Sequence, residues 1–260
     1  MKAGLLFVFA SFYFLSTVAR AAPAYVDTQG KFYYERTICG KDNLTDVDKA
    51  GEPYLTMSRP IGIIKRVARN GTALCTGTLI SKDLFLTARH CHVGCNRTTV
   101  TFGYHRLGEK ETFACKEVVE KGGPTQNEDY MILRLEGSPG VKWGWYGVSD
   151  KPLASRTPLL MLHHPAGRPL KVSEEECHFV RERNGMFYHR CDTLGGSSGS
   201  GVLIPDFDDL RKTRIVAVHG YGGCSTSGTT SANSGPAITK LVTVSPILKK
   251  LAEAYRRFYE

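Results

Sequence analysis

Three short stretches carry side chains whose chemistry is proton transfer and nucleophilic attack. In the first, Cys75-Thr76-Gly77-Thr78-Leu79-Ile80 is followed by Leu86-Thr87-Ala88-Arg89-His90-Cys91. A histidine just after an apolar strand, braced by a neighbouring cysteine, can be held rigidly, as a general base must be to stay within hydrogen-bond reach of its proton. In the second, Asn127-Glu128-Asp129-Tyr130-Met131-Ile132-Leu133, an acid opens an apolar strand, where it can be buried and can orient an imidazole. The third, Asp192-Thr193-Leu194-Gly195-Gly196-Ser197-Ser198-Gly199-Ser200-Gly201, is a glycine-rich turn bearing serines. Its glycines permit backbone angles that aim amide N–H groups at one point, the position of a developing oxyanion.

Competing readings of these residues are weaker. His163-His164 before Pro165 suggests a metal site, yet no third ligand is indicated, and a packed turn is expected there. The string His90-Cys91-His92-Val93-Gly94-Cys95 has metal-like spacing, but Cys91 is better used as a disulfide partner, so no metal is expected. Gly195-x-Ser197-x-Gly199 also fits the nucleophile elbow of α/β-hydrolases. That fold needs an acid and a histidine after the serine with strands and helices between, but only 63 residues follow Ser197 and no alternating strand–helix pattern precedes it. Asp129 alone would read as a surface acid; its place between the histidine and serine segments makes it the favourite, with Glu128 as the substitute.

The elements that must position these residues are short apolar runs between turn residues, from Ile61 to about Ile238. Thr76–Ile80 and Leu84–Ala88 read as strands joined by the tight turn Ser81-Lys82-Asp83, and Tyr130–Leu135, Gly201–Ile204 and Ile215–His219 read as further strands. The end differs. Ser245 can cap, Pro246 suits a first helical position, and Ile247, Leu248, Leu251, Ala254, Tyr255 and Phe258 recur at helical spacing. The expectation is an all-β chain with a C-terminal helix.

CTGTLI and LTARHC, then an acid opening a strand, then GGSSGSGV resemble the trypsin-like serine proteases, with His, Asp and Ser in the same order. More narrowly they resemble the glutamyl endopeptidase branch, over about Ile38 to Leu248. The resemblance implies two six-stranded antiparallel β-barrels with the site at their junction. It assigns Ser198 as nucleophile, His90 as general base, Asp129 as orienting acid, and the N–H groups of Gly196 and Ser198 as oxyanion hole. Arg89 stands where the family has a small residue and is expected to point outward. The activity implied is hydrolysis of protein or peptide substrates by a monomer without a cofactor. An inactive homologue that binds a partner through its basic surface is the rival reading, against which all three triad residues stand.

For specificity, the resemblance points to Thr193, five residues before Ser198, and His219 on the later strand as contacts for an acidic side chain. Asp192 conflicts with this, because it stands six residues before Ser198, the spacing of the acid that selects Arg and Lys in trypsin. Glu or Asp before the scissile bond is the expected preference and Arg or Lys the alternative.

Residues 1–21 have the anatomy of a secretory signal peptide, with Lys2, an apolar run from Leu5 to Leu15, and Ala19-Arg20-Ala21. Residues 22–36 then read as a pro-segment ending in Glu35-Arg36, and residues 37–260 as the protease domain. Eight cysteines in a secreted chain imply disulfides. Cys75–Cys91 would brace the histidine loop and Cys177–Cys191 a hairpin before the serine turn. Cys39, Cys95, Cys115 and Cys224 allow three pairings, among them Cys95–Cys115 with Cys39–Cys224. Sequons at Asn43, Asn70 and Asn96 are candidate glycan sites. The formal charge of +9 is scattered, so no nucleic-acid partner is read from it, and no later segment is apolar enough to span a membrane.

Overall fold

The computed structural model describes residues 24–33, 36–91, 94–105, 107–225 and 231–260. The expected signal peptide lies outside them. The first half is a closed barrel of six antiparallel strands. Ile61–Ala68 pairs with Gly71–Leu79 through a tight hairpin, and Gly71–Leu79 pairs at its far end with Leu84–Thr87. The ring continues through Met131–Leu135, Glu111–Lys121 and Thr98–Phe102, which returns to Ile61–Ala68. Strand alternation sends Ile64, Leu79, Phe85, Val100, Phe102 and Ile132 into one core. Gly77 is needed there, because a Cβ would lie 2.3 Å from the ring of Phe85.

The second half closes more loosely. Leu160–His163 pairs with Lys171–Ser173 and Gly201–Ile204, which in turn pairs with Arg214–Val218. Phe179–Arg183, Met186–His189 and Asn233–Pro236 form a separate three-stranded sheet. Isolated bridges join the two sheets: Pro158 with His178, Ala217 with Ala237, and Tyr221 with Ser234. The expected second barrel is therefore two sheets stitched at three points.

The sequence expectations for single elements hold within one to a few residues. Gly201–Ile204 is a strand as predicted, Leu84–Thr87 and Met131–Leu135 each differ by one residue at one end, and Arg214–Val218 is shifted by one residue at both ends. The strand before the first turn starts earlier than predicted, at Gly71. The C-terminal helix Pro246–Tyr259 has Ser245 as its cap, whose side chain accepts from the Leu248 N–H. Leu248, Ala252 and Tyr255 form its buried stripe, while Phe258 is 74% exposed. Phe258 and Ala254 are thus a correction to the predicted apolar face; the stripe runs i, i+4, i+7 through Ala252 instead.

Ala24–Asp27, from the predicted pro-segment, adds a strand to the first barrel. It pairs antiparallel with Gly71–Leu74, the part of that strand's edge that Leu84–Thr87 leaves uncovered. All four disulfides are Cys39–Cys224, Cys75–Cys91, Cys95–Cys115 and Cys177–Cys191. The pairing left open among four cysteines is resolved by the proximity of Cys39 to Cys224, with Cα atoms 4.8 Å apart.

Candidate active site

The serine turn is held from both halves. Thr76 N–H donates to the Ser198 carbonyl at 2.9 Å, and Thr76 Oγ1 donates to the Gly196 carbonyl at 2.8 Å. Thr78 Oγ1 accepts from Gly201 N–H at 3.2 Å. From the other side, Gly199 N–H donates to the His219 carbonyl and His219 N–H to the Ser200 carbonyl, both at 2.8 Å. Gly196 and Gly199 have φ of 95° and 88°, angles that suit glycine. A Cβ on Gly199 would lie 2.1 Å from Thr87 Oγ1, so the turn presses directly on the segment leading to His90. The threonines of the first motif are therefore its functional content: they fasten the turn that carries Ser198.

His90 follows in the 3-10 turn Arg89–Cys91, locked to Cys75 by a disulfide. Asp129 holds it twice. The His90 backbone N–H donates to Asp129 Oδ1 at 2.8 Å, and His90 Nδ1 lies 2.5 Å from Asp129 Oδ2. The Tyr221 hydroxyl donates to the same Oδ2 at 2.6 Å. Burial pushes the Asp129 carboxyl up, but the bonds and charge of His90 and the Tyr221 hydroxyl prevail and hold it below its ordinary value. His90 Nε2, the ring nitrogen opposite, is out of solvent without a hydrogen-bond partner. Glu128, the substitute acid, is instead paired with Lys240 at 2.9 Å. Arg89 is half-buried, with Nε out of solvent.

Ser197 is fully buried and its hydroxyl turns inward, accepting from Leu194 N–H and lying 2.7 Å from His163 Nδ1. Thr193 is buried beside it, its Oγ1 2.6 Å from Thr37 Oγ1 and accepting from Asn233 Nδ2 at 3.0 Å. His219 stacks edge-on against His189, with His219 Nδ1 3.2 Å from His189 Nε2. His163, His189 and His219 are all fully buried. Burial pushes His163 and His189 down to about 3 and drives His219 well below its usual value, helped at His163 and His219 by neighbouring imidazoles. These rings are neutral hydrogen-bonding groups. His219 Nε2 has no partner. The role of His189 had no signal in the sequence, since its partner lies 30 residues away.

Asp192 faces away from these groups. Its Oδ1 accepts from Cys39 N–H at 2.8 Å and its Oδ2 from Asn43 N–H at 2.9 Å. Burial raises its carboxyl above the usual range although both backbone bonds oppose that rise. The acid thus fastens the 39–43 loop. Thr37 also reaches this area, donating through Oγ1 to the Thr193 carbonyl at 3.0 Å and accepting through its carbonyl from Asn233 Nδ2 at 2.9 Å.

These two halves, with the serine turn at their junction, are a trypsin-like architecture. A solved glutamyl endopeptidase matches it with a TM-score of 0.60 at 20% identity, over 84% of this chain and 99% of that one. Residues 38–235 match the family model described as lysyl endopeptidase, C-terminal domain, and the chain belongs to that family. Lysyl endopeptidase of Pseudomonas aeruginosa is 28% identical over 62% of this chain and 39% of its own length. The Bacillus subtilis protein named extracellular metalloprotease is 28% identical over 62% of this chain and 55% of its own length. Serine protease 23 of Bos taurus is 27% identical over 68% of this chain and 54% of its own. The chain thus spans about half or less of the length of these relatives. One relative's name implies a metal; among the described residues no three His, Cys, Asp or Glu side chains are grouped to hold one. Every cysteine is in a disulfide, so none is a free thiolate ligand.

Proposed function

We propose that this chain is a secreted serine endopeptidase with His90, Asp129 and Ser198 as its catalytic triad. The observation that carries the reading is the double hold of Asp129 on His90, beside a serine turn that presses on Thr87. Ser198 Oγ attacks a peptide carbonyl while His90 Nε2 takes its proton, and Asp129 steadies the imidazolium. The oxyanion is met by the N–H groups of Gly196 and Ser198. His90 then protonates the departing amine, leaving an acyl-enzyme, and a water activated by His90 releases the acid. The family, the four disulfides and the lack of a membrane-crossing helix among the described residues support an extracellular hydrolase.

The preferred residue before the scissile bond is Glu, with Asp second. In the tautomer in which His219 Nδ1 accepts from His189, the proton of His219 sits on Nε2, the atom without a partner, ready to donate to a carboxylate. The Thr193 hydroxyl, the other expected contact, is engaged with Thr37 Oγ1 and Asn233 Nδ2. A lysine preference, which the name of the Pseudomonas relative suggests, needs a carboxylate turned into the pocket, and the N–H groups of Cys39 and Asn43 turn Asp192 onto the 39–43 loop. The test is hydrolysis of fluorogenic peptides with Glu, Asp, Lys or Arg before the scissile bond, beside a Ser198→Ala control. The expected kcat/KM is highest for Glu; a higher value for Lys or Arg overturns the specificity, and an equally active control overturns the mechanism.

Residues 22–36 are a pro-segment removed after Arg36. Ala24 supports this reading, because it packs beside Gly196: a Cβ on Gly196 would sit 3.1 Å from that of Ala24. The added strand thereby crowds the oxyanion side of the cleft. The Arg36 side chain is exposed and paired with Asp42 at 3.1 Å, but Arg36–Thr37 pairs with Thr193–Leu194 and must open locally for cleavage. Mass-spectrometric sequencing of the secreted protein is expected to read Thr37 first; a mature start at Ala22 contradicts it. Intact mass after deglycosylation tests the sequons, of which Asn70 and Asn96 are exposed.

A further inference from the structure

Asp129 has three donors, and they come from two places. Two belong to His90 itself, the backbone N–H and Nδ1. The third, the Tyr221 hydroxyl, arrives from the other half of the chain, 92 residues away in sequence. A carboxylate held only by the residue it must orient could turn with that residue. A donor fixed elsewhere stops it.

Tyr221 is well fixed. It is 6% exposed, and its backbone exchanges two hydrogen bonds of 2.8 Å with Ser234, one of the bridges that stitch the second half together. Its ring flanks the imidazole, with centroids 5.7 Å apart and planes tilted by 39°. The neighbouring residue cannot do this job. Gly220 stands next to the carboxylate, with an ideal Cβ 3.5 Å from Asp129 Oδ2, but it has no side chain to donate. The phenol of the following residue makes the contact instead.

We propose that Tyr221 is a positioning residue for the acid–base pair: its hydroxyl pins Asp129 Oδ2 from across the junction and so fixes the ring of His90 toward Ser198. This rests on the triad reading above. The hydroxyl dipole also draws charge from the carboxylate, so it tempers the pull of Asp129 on a protonated His90. Besides Asp129 and Tyr221, the ionisable groups around His90 among the described residues include the buried neutral His219 and the adjoining Arg89, while Glu128 is engaged with Lys240.

The test uses Tyr221→Phe in the processed protein, with Ser198→Ala and the double variant Gly220→Ser/Tyr221→Phe alongside. Tyr221→Phe keeps the ring and removes one donor to a charged group, so kcat is expected to fall about tenfold with KM within about twofold. The acid limb of the kcat/KM profile should move to higher pH by about half a unit, a change that lost packing alone would not cause. The double variant returns a hydroxyl beside Asp129 at a residue whose backbone does not demand glycine, and it should recover part of kcat. An unchanged kcat and acid limb in Tyr221→Phe, with Ser198→Ala inactive, overturns the proposal and leaves the triad standing. A rise in KM at constant kcat also overturns it, making Tyr221 a substrate contact. Should Tyr221→Phe fold poorly, judged by its melting temperature, the double variant decides: a stable fold with no recovery of kcat counts against the hydroxyl. Full activity in Ser198→Ala would remove the triad reading and this proposal together.

Discussion

Two groups of histidine, one held by Asp129 and one packed behind the serine turn, live in opposite environments. His90 is half-buried and lies 2.5 Å from a carboxylate. His163, His189 and His219 are fully buried, and none has a carboxylate among its hydrogen-bond partners. The difference is one of counter-charge. A carboxylate makes an imidazolium tolerable and so permits a base; burial without one fixes the ring neutral and leaves only the ability to donate or accept. On the proposed function, one residue type thus serves proton transfer in the first place and recognition in the second.

Removing the counter-charge should give the largest effect. Asp129→Asn keeps the shape but lets the wrong tautomer of His90 prevail, and kcat is expected to fall by about 10⁴. Steady-state kinetics check it, and a loss below tenfold would mean that the carboxylate does not separate the two groups. The neutral group makes the opposite kind of prediction, for stability against acid. Its folded values lie below the unfolded one, so the folded state binds fewer protons, stability is complete above about pH 6.5, and it falls as pH drops through that value toward 3. Each such imidazole costs up to about 1.4 kcal/mol per pH unit in that window. Thermal melts from pH 7.5 to 4.5 should show a steep decline below pH 6; a flat melting temperature would show that the rings are not buried neutral.

His219→Ala should lower kcat/KM for a Glu peptide about 100-fold while leaving a peptide with an apolar residue at that position within about fivefold. Equal losses on both would place His219 in the chemistry and erase the division. Far from both groups, Ser245→Ala removes a helix cap and should cost only about 1 kcal/mol, read as a lower melting temperature at unchanged activity.

How much of this was legible in the sequence follows from distance along the chain. Ser245 and Pro246 announce the C-terminal helix because a cap acts within three residues. Cys75 and Cys91, and Cys177 and Cys191, are close enough that hairpin logic pairs them. The order His, Asp, Ser was readable as a motif. The partners of those residues were not: Tyr221 meets Asp129 across 92 residues, and Asp192 meets Cys39 across 153. A six-residue spacing made Asp192 look like a pocket acid, whereas its neighbours turned it onto a loop. Phe258 fitted helical periodicity and still faces out, because the helix packs against Gly147 through Tyr255 and leaves Phe258 exposed. Local signals set elements; the junction between the halves sets the site.

The most direct test of the central claim is labelling of the processed protein with a serine-directed fluorophosphonate, followed by peptide mapping. The account predicts one adduct, on Ser198, absent from Ser198→Ala and slowed sharply in Asp129→Asn. No adduct on a folded, processed protein, or an adduct on another serine, would contradict it.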